Sequence, residues 1–582
     1  MVKKDVFGRR TVLSGLSAAA IAGIAGCMGA DAQSNDGAGQ SDGDGNQGQG
    51  PPENPGAGEH STIRLERVGG YSAGVYDDGG AEIVSYDNTT EQAFVANSAA
   101  GAVDILDISD PAAPTKVDNI DIAAATNWAE AAEVTSVDVQ DGLIAAGVAN
   151  QTKTDDGRVV VASTETLEVL GSETAGPLPD SVAFTPDSSA VLVANEGEPD
   201  EAFETVPEGS VSVVSLKDDG SPAESRTAGF TEFNGQEDEL REQGVRIFGP
   251  EDALDVASNV EPETVTVGPD GSTAWVTLQE ANAFAVVDIE SASVTEIQAL
   301  GYKDHMLPGN GFDASDSDGG PNIRNWPTKG MYHPDGIDTY EVGEETFVVS
   351  ANEGDARDFD GYSEETEVSE LDLDEEAFDF DQIAGIETVE QLQAENNLGE
   401  LETTTANGDI DGDGQHEEIY SYGARSFSIW DDQGNLVFDS GDEFERITAE
   451  RYPDNFNNDN DESDPDGRSD AKGPEPEGVS IGRIGDRAYA FISFERMSGV
   501  IVYDITVPEN ATFVQYINPR DFSVDIESEI IEGDLPADAA GDVGTEDVEF
   551  IPHSESPVDT PLLLTANEAS GTTGVFQISL IE

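Results

Sequence analysis

Residues 262–289 have the sequence PETVTVGPDGSTAWVTLQEANAFAVVDI, in which three runs rich in β-branched and aromatic residues alternate with polar segments. The tetrapeptide Gly268-Pro269-Asp270-Gly271 has the residue types that a tight turn prefers, and a short polar loop separates the second run from the third. Short runs of this kind, bounded by turn residues, are typical of antiparallel strands. The stretch therefore predicts strand, turn, strand, loop, strand.

The same order of elements recurs along the chain, which indicates a repeat architecture. Seven units of three or four short strands predict an all-β fold, a seven-bladed β-propeller with acidic loop and helix insertions, because radial repetition leaves few exposed strand edges. A pair of β-sandwiches is the alternative, and the shared order of elements favours the propeller. Besides 262–289, the units are 81–109, 135–164, 179–216, 334–430, 476–506 and 544–580.

Two acidic segments interrupt the repeats and are expected to cap one face of the propeller. Residues 217–261 contain a predicted short helix at 236–243. Residues 361–405, inside the long fifth unit, contain a predicted helical stretch near 389–401.

The N-terminus has the features of an export signal. Arg9 and Arg10 precede an apolar run that is too short for a membrane span, and small residues lead to Cys27, the single cysteine of the chain. Residues 1–27 are therefore predicted to be a twin-arginine signal peptide with a lipobox, and Cys27 is the predicted lipidation site. The alternatives are an uncleaved N-terminal anchor or cleavage elsewhere, and both would still place the rest of the chain outside.

The region after Cys27 divides into a tether and a folded part. Residues 28–60 are rich in Gly, Asp, Gln and Asn with almost no apolar side chain, which predicts a disordered linker. Residues 61–582 are predicted to form the propeller domain. The protein is thus expected at the extracellular face of the membrane, exported by the twin-arginine route and attached to the membrane by a lipid at Cys27.

The charge of the chain is extreme. It has 121 acidic and 26 basic residues, a formal net charge of −95, and the acidic residues are spread over every segment. A dispersed acidic surface stays hydrated at molar salt, where the Debye length is about 3 Å and self-repulsion is screened. This composition predicts adaptation to the medium of an extreme halophile, and it argues against nucleic acid as a partner.

An Asn-Glu pair recurs where the second strand of several units ends, and an acidic residue recurs where units open. In a propeller both positions lie on one face, so these side chains are expected to surround one mouth of the channel. They predict a cation site or a carboxylate-lined ligand pocket, with Arg357, Arg425, Lys472 and Arg496 as compensating charges. The alternative is that Asn-Glu-Gly only forms a tight turn. The predicted mouth residues are Asp180, Asn195, Glu196, Glu263, Asp335, Asn352, Glu353, Glu477, Glu495, Asp547, Asn567 and Glu568.

Residues 409–417, DIDGDGQHE, alternate oxygen ligands with glycines, as loops that bind a hard cation do. Calcium is the expected cofactor there. Residues 313–319 and 454–470 are acidic without regular spacing and are expected to be solvated loops. The predicted metal ligands are Asp409, Asp411, Asp413, Gln415 and Glu417.

The sequence lacks a nucleophile elbow, a phosphate-binding loop with lysine and a His-Glu-x-x-His motif. Two functions remain open: a non-catalytic propeller that binds an extracellular ligand or surface protein, and a calcium-dependent phosphoesterase. The second would use Glu196 and Glu568, together with Glu353 and Glu495, as metal ligands and Arg357 or Arg496 as a phosphate clamp. The candidate catalytic residues are Glu353, Arg357, Glu495 and Arg496.

Several long strings resemble the choice-of-anchor I domain family: GARSFSIW at 423–430, RSDAKGPEPEG at 468–478, AFISFER at 490–496, ANEGDAR at 351–357 and ANE at 566–568. The resemblance extends over about residues 61–582. It implies a secreted seven-bladed propeller, similar to YVTN and LVIVD repeat proteins, that different members attach to the cell surface by different devices. Some relatives are described as alkaline-phosphatase-like and others as similar to a mesenchyme-specific cell surface glycoprotein, without catalytic residues that can be transferred. This chain differs in its added acidity and in its lipobox.

Overall fold

The computed structural model describes residues 63–250, 255–461 and 463–581. The predicted signal peptide, the lipidation site Cys27 and the predicted linker 28–60 lie outside the described residues.

Seven four-stranded antiparallel sheets form the blades of a β-propeller, as the repeats predict. Blades 1 to 4 each use four consecutive strands: β2 (Val84–Asp87), β3 (Gln92–Asn97), β4 (Ala102–Asp107) and β5 (Thr115–Asp121); β6 (Ala131–Gln140), β7 (Leu143–Asn150), β8 (Asp156–Ser163) and β9 (Val169–Pro177); β10 (Pro179–Phe184), β11 (Ala190–Asn195), β12 (Ser210–Leu216) and β13 (Pro222–Gly229); β14 (Pro262–Val267), β15 (Thr273–Leu278), β16 (Ala283–Asp288) and β17 (Ser293–Ala299).

Blade 5 is split by a long insertion, and blade 7 is completed by the first strand of the chain. Blades 5 to 7 comprise β20 (Ile337–Val342), β21 (Glu345–Asn352), β27 (Ser426–Asp431) and β28 (Leu436–Asp439); β29 (Pro476–Ile484), β30 (Arg487–Phe494), β31 (Val500–Asp504) and β32 (Thr512–Ile517); β33 (Thr545–Ile551), β34 (Leu562–Asn567) and β35 (Thr572–Leu580), with β1 (Ile63–Ser72) beside β35.

Blade 4 shows how the sequence produces a blade. The runs of the opening stretch become β14, β15 and β16, with Val265 opposite Val276 and Trp275 opposite Val286. The fourth and outer strand of the blade, β17, follows residues 262–289 in the chain and pairs with β16. Ala274, together with Val276, packs in a core cluster that also contains side chains of blade 3. Apolar side chains alternate along each strand because one face of each blade packs on its neighbour.

Closure of the ring depends on β1. It pairs antiparallel with β35, with Ile63 opposite Leu580 and Leu65 opposite Ile578. Ile63 and Leu65 are buried in a cluster with Phe491 of blade 6. The first described strand thus supplies the outer edge of the last blade.

The insertions build a second, smaller sheet. Its five strands lie in the order β18 (Tyr302–Asp304), β19 (Thr328–Met331), β26 (Ile419–Ser421), β25 (Glu402–Thr404) and β24 (Glu365–Glu367), and β19 and β26 are parallel. β18 and β19 come from the connection between blades 4 and 5, whereas β24 to β26 come from the insertion that splits blade 5. A two-stranded ribbon, β22 (Asp358–Phe359) and β23 (Tyr362–Ser363), precedes β24 in that insertion. The predicted acidic segment 361–405 is therefore part of a folded subdomain.

Four short α-helices complete the described structure: α1 (Ile122–Thr126), α2 (Glu237–Gln243), α3 (Val389–Leu392) and α4 (Glu443–Arg451). The helix predicted at 236–243 is confirmed as α2. The helix predicted near 389–401 is shorter than expected, because α3 ends at Leu392 and a separate π-helical turn follows at Glu395–Gly399. No helix among the described residues is both long enough and apolar enough to cross a membrane.

Candidate functional site at the propeller mouth

Strand register places the unit-opening acids and the Asn-Glu loops at the same end of each blade. Pro179 at the start of β10 lies opposite Asn195 at the end of β11, and Thr545 of β33 lies opposite Asn567 of β34. Every blade enters its first strand from the same face of a propeller, so these ends form one mouth. Both insertions also leave the blades here, and they contact each other through Arg246 and Glu364.

The asparagines of three Asn-Glu pairs are buried and hydrogen-bonded within their own blades. Asn195 and its counterparts are completely buried at the turn. The Asn195 amide donates to the Ser210 and Ser212 hydroxyls, and the Asn352 amide donates to two serine hydroxyls of β27 in the same way. The amides of Asn195, Asn352 and Asn567 therefore each tie the end of one strand to the next, and a role of these residues in a ligand pocket stays a prediction.

Part of the acidic ring converges. Carboxylate oxygens of Asp335, Glu353 and Glu477 all lie within 4.8 Å of one another, and so do those of Glu353, Glu475 and Glu495. Glu353 belongs to both groups, so five carboxylates from blades 5 and 6 and their flanking loops form one cluster, called here the axial cluster.

Two carboxylates of the axial cluster differ in how they are compensated. Glu353 accepts a hydrogen bond from Gln279 Nε2 at 2.7 Å and pairs with the ammonium group of Lys472. Burial raises the pKa of Glu353 to about 7, although Lys472 opposes the shift. Glu477 is only 7% exposed, and its Oε2 has no hydrogen-bonding partner among the described residues. Burial, reinforced by Asp335 and Glu353, raises the pKa of Glu477 well above its usual range.

Glu475 forms ion pairs with three basic side chains beside the axial cluster. Its carboxylate lies 2.7 Å from Arg468 Nη2, 3.0 Å from Lys472 Nζ and 3.4 Å from Arg496 Nε. Burial alone would raise the pKa of Glu475, but Arg468, Lys472 and Arg496 lower it below its usual range. Glu475, Arg468 and Gln279 were not among the residues predicted from the sequence; the repeated Pro-Glu in GPEPEG was the available signal for Glu475.

The other predicted mouth acids are not part of the axial cluster. None of the close carboxylate groups found among the described residues includes Asp180, Glu196, Glu263, Asp547 or Glu568. Asp547 instead joins blades 7 and 1, because its Oδ2 accepts a hydrogen bond from Val84 N at 3.0 Å. The ring is therefore uneven, with its close contacts concentrated at blades 5 and 6.

Comparison with known proteins assigns the chain to a family. The choice-of-anchor I domain matches residues 82–508, which is most of the chain. The chain belongs to the choice-of-anchor I domain family.

Individual relatives are distant. Gigasin-3a of Magallana gigas is 29% identical over 197 residues, which are 33% of this chain and 68% of that protein. Among solved structures, the hydrazine synthase of Kuenenia stuttgartiensis has a TM-score of 0.40 at 13% identity and covers 88% of this chain and 99% of its own. The β-propeller domain of Cps50 (Swd1) from Myceliophteria thermophila has a TM-score of 0.41 at 7% identity, with 89% and 100% covered. At these identities, the roles of individual residues follow only from this chain's own contacts.

The strings that resemble the choice-of-anchor I family meet at the axial cluster. The ANEGDAR string contributes Glu353, the GPEPEG string contributes Glu475 and Glu477, and the AFISFER string contributes Glu495 and Arg496. Segments far apart in sequence thus place their charged side chains within one cluster.

Arg357, a predicted phosphate clamp, is used inside the domain. It is 1% exposed, pairs with Glu261 at 3.3 Å and donates to the carbonyls of Phe248 and Asn259. Arg496, in contrast, lies beside Glu475 and Glu495 in the axial cluster. Of the four candidate catalytic residues, Glu353, Glu495 and Arg496 are therefore together and Arg357 serves packing between the two insertions.

The DxDGDG loop is an exposed structure within the insertion of this choice-of-anchor I domain. Oxygens of Asp409, Asp411 and Glu417 lie within 4.8 Å of one another. The Asp413 carboxylate is not in that group and accepts a hydrogen bond from the backbone amide of Gln415, while the Gln415 side chain donates to Asp372.

Proposed function

We propose that the propeller is a binding module at the cell surface, whose axial cluster holds a divalent cation, calcium, and presents it to an extracellular ligand. One observation carries this proposal: Asp335, Glu353 and Glu477 converge at the mouth, and the buried Glu477 Oε2 has no partner among the described residues. A divalent cation bound by these oxygens would compensate their charges, and its remaining coordination positions would be available to a ligand.

The basic residues beside the cluster suggest the chemistry of the ligand. Lys472 and Arg496 are each about 14% exposed or less and are held in place by Glu475. A carboxylate- or sulfate-bearing ligand would bind the cation and this basic side together, since charge-assisted bonds favour such anions.

The phosphoesterase alternative has less support. Arg357, its predicted phosphate clamp, is buried and paired with Glu261. We therefore retain the binding module as the proposed function.

Calcium titration of the full chain tests the axial site. At molar salt after chelation, we expect Glu477→Gln to bind one calcium ion fewer per chain than the unmodified protein by calorimetry. Glu165→Gln, at an exposed turn of blade 2, is the matched control and should bind the full number. An unchanged calcium stoichiometry in Glu477→Gln would contradict the axial site.

Display at the surface is a separate part of the proposal and relies on Arg9, Arg10 and Cys27. A diacylated cysteine would attach the chain durably, whereas one acyl chain binds only marginally. We expect Cys27→Ser to move the protein from the membrane fraction to the medium, and replacement of Arg9 and Arg10 by lysine to retain it inside the cell. Membrane retention of Cys27→Ser would exclude lipid anchoring at this residue.

We also propose that calcium stiffens the 409–417 loop. Asp409 already accepts hydrogen bonds from the backbone of Gly412, Asp413 and Gly414, which curls the chain around its carboxylate. The loop is exposed, so its cation would exchange more readily than one at the buried axial cluster.

A further inference from the structure

Two acidic loops that the sequence predicts to be solvated come together beside the insertion subdomain. Asp313 and Asp318 lie in the loop between β18 and β19, and Asp466 lies in the segment after α4. One carboxylate oxygen of each lies within 4.8 Å of the others. Asp313 is 1% exposed and Asp466 is 7% exposed, so the expectation of fully solvated loops is wrong for these residues.

Hydrogen bonds satisfy only part of this group, called here the interloop cluster. Asp313 accepts from the backbone amide of Asn322, and Asp466 Oδ1 accepts from the Ser469 hydroxyl at 2.7 Å. Asp466 Oδ2 and Asp318 Oδ1 are buried atoms without a hydrogen-bonding partner among the described residues. Buried carboxylate oxygens without donors are costly, and a bound cation would remove this cost.

The surrounding charges do not compensate the interloop cluster. Asp313, Asp318 and Asp466 lie close together, and a fourth acid adjoins them because Glu445 Oε2 accepts a hydrogen bond from the Asp313 backbone amide at 2.7 Å. The nearby guanidinium of Arg425 donates to Glu445 and to backbone carbonyls, including that of Asp313, so its charge is already paired. Arg324 interacts with Asp318 only at longer range and stacks on Trp326.

A neighbouring acidic group strengthens the local negative potential. Asp316, Glu400 and Asp470 also bring carboxylate oxygens within 4.8 Å of one another, and Asp316 contributes to the raised pKa of Asp466. Three carboxylates without histidine or cysteine form a hard, oxygen-only ligand set, which suits calcium better than a transition metal.

We propose that Asp313, Asp318 and Asp466 bind one calcium ion that fastens the 454–470 segment to the loop between β18 and β19. This site is distinct from the axial cluster and does not depend on it. Its role is to hold in place the segment that contains Arg468 and is followed by Lys472, two basic residues that pair with carboxylates of the axial cluster.

Calcium calorimetry on the full chain at molar salt tests the proposal. We expect Asp466→Asn and, separately, Asp318→Asn to bind one calcium ion fewer per chain than the unmodified protein. Asp454→Asn is the matched control, because Asp454 is an exposed aspartate of the same segment. Circular dichroism verifies that each variant is folded; Asp318 is partly exposed, so its substitution keeps the test valid if Asp466→Asn fails to fold.

Limited proteolysis gives a second, local measurement. Calcium should slow cleavage within 454–470 in the unmodified protein and in Asp454→Asn, and it should have no such effect in Asp466→Asn or Asp318→Asn. Glu477→Gln should retain the protection, which separates this site from the axial one. Full calcium stoichiometry together with full protection in both Asp466→Asn and Asp318→Asn would overturn the proposal.

Discussion

Glu475 shows how one residue organises the charged site. It is fully buried and has a positive φ of 53°, a backbone conformation that costs a residue with a side chain about 1 kcal/mol or more. Three basic side chains converge on its carboxylate. Their charges are thereby fixed at the mouth, where the uncompensated Glu477 lies two residues further along the chain.

Arg357 has a structural role, which substitution tests through the stability of the protein. Removing one member of a buried ion pair leaves the other charge uncompensated, so we expect Arg357→Met to lower the free energy of unfolding by about 3–5 kcal/mol. Chemical denaturation at molar salt measures this change. Arg226→Met, at a more exposed arginine that donates to the carbonyls of Ile289 and Glu290, is the control and should cost much less. An unchanged unfolding midpoint in Arg357→Met would contradict the packing role.

His305 predicts a pH dependence of stability. Burial lowers the pKa of His305 to about 3, and the charge of Lys303 acts in the same direction. Between about pH 6.5 and pH 3, His305 binds a proton in the unfolded chain but not in the folded chain. Acidification therefore favours the unfolded state, so the free energy of unfolding is highest above pH 6.5 and falls as the pH decreases through this range.

The measurement is the difference between the unmodified protein and His305→Phe in unfolding free energy across this pH range. We expect the unmodified protein to lose stability relative to the variant on acidification, by on the order of a few kcal/mol at most. His553→Phe, at an exposed histidine, should show no such difference. Parallel pH profiles for His305→Phe and the unmodified protein would contradict the prediction.

At the scale of elements, the turn after the second strand stabilises a single blade, whereas strand β1 closes the ring of blades. The asparagine turn joins strands within a blade, as the bonds of Asn195 to Ser210 and Ser212 show. β1 joins the two ends of the ring, because it pairs with β35 and becomes the outer strand of the last blade.

Leu65 tests the closure by β1. It is 1% exposed, and its truncation would leave a cavity between blades 7 and 6, so we expect Leu65→Ala to destabilise the protein by about 2–5 kcal/mol. Thermal unfolding at fixed high salt measures the effect. Glu66→Gln, in the same strand but exposed, is the control and should change the unfolding temperature little. A Leu65→Ala variant as stable as this control would show that closure does not depend on the packing of β1.

The sequence predicted the elements better than it predicted the insertions. The period-two pattern of β14 to β16 is local, so the strands of blade 4 could be recognised from residues 262–289 alone. The five-stranded second sheet could not, because β18 and β19 precede blade 5 while β24 to β26 lie within it. Their pairing depends on contacts between segments up to about one hundred residues apart, for which short strands give little sequence signal.

At the scale of the whole molecule, a net charge of −95 governs the response to salt. We expect the unfolding temperature of the full chain to rise as potassium chloride increases from about 0.2 M to about 3 M, because screening reduces self-repulsion. Circular dichroism at constant pH measures the transition. Comparison with potassium sulfate at equal ionic strength separates screening from the stronger exclusion of sulfate. An unfolding temperature that is equal or higher at low salt would contradict the halophilic interpretation.

The sequence by itself determined the repeat order, the propeller fold and the motifs that carry the family resemblance. These follow from local properties: strand periodicity, turn residues and strings such as GPEPEG. The tertiary structure alone decided which acids meet. It united Asp335, Glu353 and Glu477 at the mouth, and it brought Asp313 and Asp318 close to Asp466, which lies about 150 residues further along the chain. In a chain with 121 acidic residues, composition cannot distinguish a solvated carboxylate from a buried one, because that difference arises only when the folded chain removes water from between the charges.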